Sequence, residues 1–245
     1  MSVGLIPLEH LLVAFIPVTL VAWIYHKWSL DTSEVGVAVV RMAAQLLLIG
    51  YVLAWLFEQR HAAVLGLVML VMALASTWIS LRSVEHVAAK GARAQLFFKT
   101  LLVITSSSLF ILVIVVAGVL SLNPTEHARV VIPLAGMIFS SAMTAVGLAA
   151  ERYYSDRNGG STYISARNKA FSASLIPITN SMLAVGLVAL PGMMTGQILS
   201  GVSPLLAVRY QIVVMCMIFG VAGLSSAFFL SWVAKGSIRE PLEQL

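Results

Sequence analysis

AVGLVALPGMMTGQILSGVSPLLAVRYQ, residues Ala184–Gln211, is a charge-poor stretch interrupted by two prolines and four glycines. It stands in a chain whose other long apolar runs read as membrane helices. Broken backbone at membrane depth survives only where protein or a polar cavity covers it. The stretch therefore predicts the working part of a membrane protein.

The composition agrees. Hydrophobic residues make up 60% of the 245, charged residues 10%, and the mean hydropathy is +0.96. A soluble domain carries roughly 45–50% apolar and about 25% charged residues. With about 20 apolar residues needed per helix span, the expectation is one all-α polytopic domain over residues 1–245. Seven spans are predicted, at Leu5–Ile24, Val35–Phe57, Ala62–Leu81, Phe97–Leu120, Val130–Ala150, Phe171–Leu190 and Tyr210–Val233. None alternates as a barrel strand does. The first run exceeds a signal-peptide core and lacks both a basic lead and a small-residue cleavage site, so it reads as a span.

Basic residues are retained on the cytoplasmic side during insertion. With the N-terminus outside, the inner segments hold Lys27, Arg82, Lys90, Arg93, Arg152, Arg157, Arg167, Lys169, Lys235 and Arg239. The outer loops hold Arg60, Arg129 and Arg209, while Arg41 and Lys99 snorkel from the inner ends of their spans. Ten against three predicts N-out, C-in, in the cell membrane. The net charge of +5 then reflects topology and anionic lipid, and no nucleic-acid partner is expected.

Several functions are disfavoured. The single cysteine, Cys216, excludes an intrachain disulfide and multi-cysteine metal or iron–sulfur sites. There is no G-x-x-x-x-G-K-[ST] loop, so any ATP and Mg would be bound by a separate subunit, and this chain is expected to be neither an enzyme nor a cofactor carrier. All ten Asp and Glu fall outside the span cores, which disfavours a proton-driven carrier. The last span has no lysine for a retinal Schiff base.

The polar residues inside the spans are candidates for a translocation path. Arg41 and Gln45, four apart, share a helix face, and Asn180 follows Pro177, which frees a backbone carbonyl. Met193, Met194 and Gln197 lie in the broken stretch, where adjacent thioethers beside exposed backbone suit a transition metal or a hydrophobic substrate. Pro191, Gly192, Gly196, Gly201 and Pro204 would let that stretch bend. Gly136, Ser140, Thr144 and Gly147 read as a small-residue packing ridge, and Ser106–Ser108 as hydroxyls lining a path or bonding their own helix. Three outer pairs, Glu9 with His10, Glu58 with His61 and Glu126 with His127, are weak candidates for a metal capture site, against the commoner reading of solvated span ends.

Three segments carry a resemblance: RMAAQLLLIGYVLAWLF (Arg41–Phe57), VIPLAGMIFSSAMTAVGL (Val131–Leu148) and SLIPITNSMLAVGLVALPGMMTGQILSGVSPLLAVRYQI (Ser174–Ile212). Over roughly Arg41 to Val233 the chain resembles the FetB family of ABC-transporter permeases, which includes bacterial iron exporters and similar plant aluminium-tolerance permeases. The resemblance implies a homodimer of permeases driven by two copies of a separate ATPase, exporting iron or a related metal. The alternative is a stand-alone carrier or channel; a receptor-like scaffold is a third reading. One departure concerns the inner loop 151–169. Glu151, Arg152, Asp156 and Arg157 match the start of the family's ATPase-coupling loop, but Asn158 runs straight into Gly159-Gly160-Ser161-Thr162. That run reads as a flexible linker and a designed shortening that removes the coupling helix.

Overall fold

The structure is a computed structural model that describes residues 8–56, 62–84, 93–124 and 126–234. Among these residues the fold is all-helical; the single extended feature is an isolated bridge between Val185 and Ala189. Five helices are long and apolar enough to cross a membrane: Thr32–Val52, Ala62–Leu81, Arg93–Val119, Ala128–Asn158 and Pro204–Val233. The chain divides into two compact units, Met1–Gln59 and Arg60–Leu245.

The first unit contains α1 (Leu8–Val13), α2 (Ile16–Lys27) and α3 (Thr32–Leu56). The predicted first span is here two helices, because Pro17 lacks the amide that would continue the ladder and the chain turns at Ala14-Phe15. The twelve residues of α2 extend only about 18 Å, short of a bilayer core. Residues Leu5–Pro7 of that expected span lie outside the described residues. α3 matches the second predicted span and is started by Asp31, whose carboxylate accepts from the Ser33 backbone N–H at 2.9 Å.

The second unit contains α4 (Ala62–Leu81), α5 (Arg93–Val113, continued by a π-helical turn Ile114–Val119), α6 (Ala128–Asn158), α7 (Tyr163–Ala184), α8 (Gly192–Leu199) and α9 (Pro204–Phe228, continued by a π-helical turn Phe229–Val233). α6 lies at its centre and contacts α4, α5, α7 and α9. Its buried face carries five alanines, Ala135, Ala142, Ala145, Ala149 and Ala150, among larger residues. A Cβ on Gly147 would come within 3.3 Å of the Ser80 carbonyl oxygen, so α4 and α6 touch backbone to backbone there.

Cross-helix bonds fix the directions. Ser141 Oγ donates to Ile218 O (3.0 Å) and Tyr153 Oη to Ala234 O (3.4 Å), so α6 and α9 run parallel. Tyr163 Oη donates to Leu230 O (3.1 Å), which sets the start of α7 beside the end of α9. α7 therefore returns the chain to the opposite end. Twenty-one residues on, at about 1.5 Å each, Ala184 falls level with about Gln211. The sequence placed the break after Ala184 at membrane depth. This register moves Val185–Ser203 to the end of the bundle, alongside Arg209.

The same directions sort the charges. Arg82, Arg93, Lys99, Arg152, Arg157, Arg167 and Lys169 belong to one end of the second unit, and Arg129 and Arg209 to the other. α7 begins in this basic end, which explains why its 22 residues include two charges before the apolar run Ala170–Ala184.

Two turns close with the same geometry. After α6, Gly160 (φ +83°) donates its N–H to Arg157 O, and Ser161 N–H bonds Asp156 O. After α8, Gly201 (φ +93°) and Val202 repeat the pattern on Ile198 O and Gln197 O. Both are Schellman caps, with glycine at the left-handed position. The Gly-Gly run is therefore an ordered helix stop rather than a flexible linker. Thr162 then starts α7 by accepting from Ser165 N–H. Gly160→Val is expected to cost about 1–3 kcal/mol, read as a lower Tm in detergent, whereas Gly159→Ala, at φ −77° with ordinary contacts, leaves Tm within about a degree or two.

Candidate functional site

A groove of about 340 Å³ opens between α6, α7 and α9. Ser140, Ser141 and Thr144 line it from α6, Ser174, Pro177 and Ser181 from α7, and Val214, Ile218 and Ala222 from α9. Helical spacing explains the hydroxyls on α6. Steps of four residues drift by about 40°, so Ser140 and Thr144 rotate away from Gly136, while the eleven-residue step from Gly136 to Gly147 returns to within about 20°. The expected packing ridge is thereby divided. Gly136 and Gly147 face Met72 and Ser80 of α4, and the two hydroxyls turn to the groove.

Four of the five hydroxyls that line the groove donate their protons to backbone oxygens. Ser141 donates to Ile218 O (3.0 Å), Thr144 to Ser140 O (3.0 Å), Ser174 to Phe171 O (2.8 Å) and Ser181 to Pro177 O (2.9 Å). What each hydroxyl can still offer the groove is oxygen lone pairs. Pro177 adds to this, because its missing N–H leaves the Ala173 carbonyl without its helix donor. The groove is a string of acceptor oxygens on a weakly polar wall, a surface that favours a cation or a hydrogen-bond donor.

None of the six residues expected to line a path borders this groove. Arg41 and Gln45 sit on exposed positions of α3, in the first unit. Asn180 is exposed on α7, between Thr179 and Ser181. Met193, Met194 and Gln197 are half-buried on α8; Met193 packs against the core and Gln197 Oε1 is buried without a hydrogen-bond partner. The expected hinge residues occupy the ends and body of α8 and the start of α9: Pro191 precedes α8, Gly192 and Gly196 are inside it, Gly201 stops it and Pro204 opens α9.

Elsewhere the serine run of α5 divides. Ser106 bonds Val103 O at 3.3 Å, while Ser107 and Ser108 are buried with hydroxyls that have no partner. Glu126 accepts from Asn123 Nδ2 (3.1 Å), and His127 Nδ1 lies 3.1 Å from Asn123 O. His10 is exposed, Glu9 lies in α1, and Glu58 and His61 are outside the described residues. Among the described residues no three His, Cys, Asp or Glu side chains converge. Glu151, Arg152, Asp156 and Arg157 form the last two turns of α6, with Arg152 Nε 3.2 Å from Asp156 Oδ2 and Arg157 Nη1 donating to Ser161 O. No separate helix lies between α6 and α7.

The model of the family described as "Uncharacterised protein family (UPF0014)" matches residues 8–167 and 160–238. The chain belongs to this family. Its relatives include the Escherichia coli protein named "Probable iron export permease protein FetB", 31% identical over 235 residues and covering 89% of this chain and 87% of that protein. They also include the Arabidopsis thaliana "Protein ALUMINUM SENSITIVE 3", at 33% over 217 residues (82% and 76%). The rice "UPF0014 membrane protein STAR2" is 32% identical over 219 residues (82% and 74%). No solved structure matches the chain significantly. These relatives and the apolar helices make this chain a multi-pass membrane protein of a permease family. The family match is split at the α6–α7 turn. The chain supplies about 218 residues to the 235 aligned with the E. coli protein, so about 17 positions of that match have no counterpart here.

Serine reasoning from sequence missed Ser141, Ser174 and Ser181. The signal was present in their position one to four residues from the small-residue ridge and from Pro177. Ser141→Ala removes one bond between α6 and α9, while Ile218 O keeps its helical donor; the expected loss is about 0.5–1.5 kcal/mol, seen as a lower Tm, with Ser140→Ala near neutral.

Proposed function

We propose that this permease is the membrane subunit of an ATP-driven transporter that exports iron or a related metal cation. Two copies would pair with two copies of a separate ATPase that carries the ATP and Mg. The observation that carries the reading is the groove of acceptor oxygens in a chain similar, over most of its length, to a protein named as an iron export permease. Hydroxyl and carbonyl oxygens bind cations weakly enough to release them, which a path requires and a storage site does not. The crowding of basic residues at one end supports placing that end in the cytoplasm, with the N-terminus outside. Arg41, Gln45, Asn180, Met193, Met194 and Gln197 remain candidates for the wider path when two copies and both units assemble.

Coupling to an ATPase would act at the α6–α7 end, where Glu151, Arg152, Asp156 and Arg157 stand on the last turns of α6. The tight turn supports the idea that a coupling helix has been removed from this chain, since the family match divides there. The same turn favours a second reading, a stand-alone carrier or channel, because it leaves no helix there for an ATPase to grip.

The test is co-reconstitution with the candidate ATPase, the loop restored to the relatives' length, with and without Fe(II) inside the vesicles. ATP hydrolysis that needs both permease and Fe(II) is expected. Assembly without metal stimulation removes iron from the proposal, and absence of assembly favours the stand-alone carrier. In the restored protein, Ser181→Leu fills the groove and is expected to cut metal flux at least about tenfold, corresponding to about 1.4 kcal/mol of barrier, while Tm is unchanged.

A further inference from the structure

A second cavity, about 280 Å³, lies between the end of α4 and the start of α5. Its lining is Trp78 and Leu81 from α4, Arg82 from the 3-10 turn Arg82–Val84 that follows it, and Arg93, Leu96 and Phe97 from α5, with Ala94 at the rim. Each side contributes the same pair in mirror order: an arginine at the end and an aromatic ring four residues deeper. Four residues are about 6 Å along a helix and return to the same face. Two guanidinium groups therefore stand at one level, and an indole and a phenyl ring stand one turn below them, with Leu81 and Leu96 between. Leu96 is buried, while Trp78 is 53% exposed and the neighbouring Phe98, edge-on to Phe97, 63%.

We propose that this cavity is a binding site for an anionic phospholipid, whose phosphate lies between Arg82 and Arg93 and whose first acyl methylenes pack on Trp78, Phe97 and Leu96. Charge decides the headgroup. Two arginines give planar donors matched to phosphate oxygens, in a cavity with room for about nine water-sized groups. Depth decides the tail. Aromatic rings one turn beneath the basic level sit where headgroup meets hydrocarbon, and the basic end of the bundle already marks that level. Basic pockets between spans select anionic headgroups in this way. The α7–α9 flank has a similar pair, Arg167 and Phe171, but only one arginine borders its smaller cavity of about 210 Å³. The site is distinct from the groove between α6, α7 and α9, and does not depend on what that groove carries.

The experiment uses the full chain, delipidated in detergent and titrated with equal amounts of phosphatidylglycerol and phosphatidylcholine, with retained lipid counted by native mass spectrometry. One phosphatidylglycerol is expected to be retained with a preference of about fivefold or more, the worth of one to two interfacial arginines. Arg82→Gln with Arg93→Gln should abolish the preference, and Arg82→Lys with Arg93→Lys should keep part of it. Equal preference in the double Gln variant overturns the site. Displacement of the lipid by millimolar inorganic phosphate also overturns it, by showing a phosphate site without a tail. A readout free of arginine variants is quenching by brominated acyl chains in phosphatidylcholine bilayers. Brominated phosphatidylglycerol at low fraction should quench the Trp78 share, taken as wild type minus Trp78→Phe, well beyond the same fraction of brominated phosphatidylcholine. Equal quenching by the two lipids overturns the proposal.

Discussion

The close approach of α6 to its neighbours is the constraint on which the second unit rests. Lipid tails are as apolar as leucine, so burying leucine between spans gains little, and association depends on backbones coming near enough for dispersion and direct hydrogen bonds. α6 meets this with alanines along its buried face, with Gly147 against the Ser80 backbone, and with hydroxyls that donate to carbonyls of α9. α4, α5, α7 and α9 are each placed by contact with that one, and α8 rests on α9. The groove follows from it, because the drift of serine and threonine off the glycine face opens a wedge towards α7.

Much of this was legible in the sequence. The helix lengths of α3, α4, α5, α6 and α9 follow from apolar runs bounded by charge, and the basic bias along the chain reappears as a bias between the two ends of the bundle. The first predicted span was too long because hydropathy does not register the missing amide of Pro17. The sixth predicted span, Phe171–Leu190, met the opposite difficulty: the start of α7 is polar, yet its position is fixed by Tyr163 reaching Leu230, a contact between residues 67 apart that no local pattern encodes.

The candidate site was less legible for a related reason. Arg41, Asn180 and Gln197 were singled out because they are polar in apolar surroundings, a property of composition. The groove instead collects side chains that look ordinary one at a time: four hydroxyls that satisfy their own helix or a neighbour and leave acceptor oxygens on a common surface. Only the packing of α6, α7 and α9 reveals that these oxygens share a space. The Gly159-Gly160 pair shows the same limit. Its composition suggests a linker, but the hydrogen bonds to Arg157 O and Asp156 O make it a rigid stop.

That stop has a bearing on biogenesis. α7 carries Arg167 and Lys169 near its start and does not qualify as an apolar span in its own right. The Schellman turn joins it to α6 through four residues, Gly159–Thr162, and Tyr153 lies edge-on to Tyr163 across the turn. A segment too polar to partition alone enters the bilayer when it is folded onto one that does. During synthesis, α6 and α7 are therefore delivered to the membrane as one helical hairpin, with the tyrosine pair closing its base before α9 has emerged to receive it.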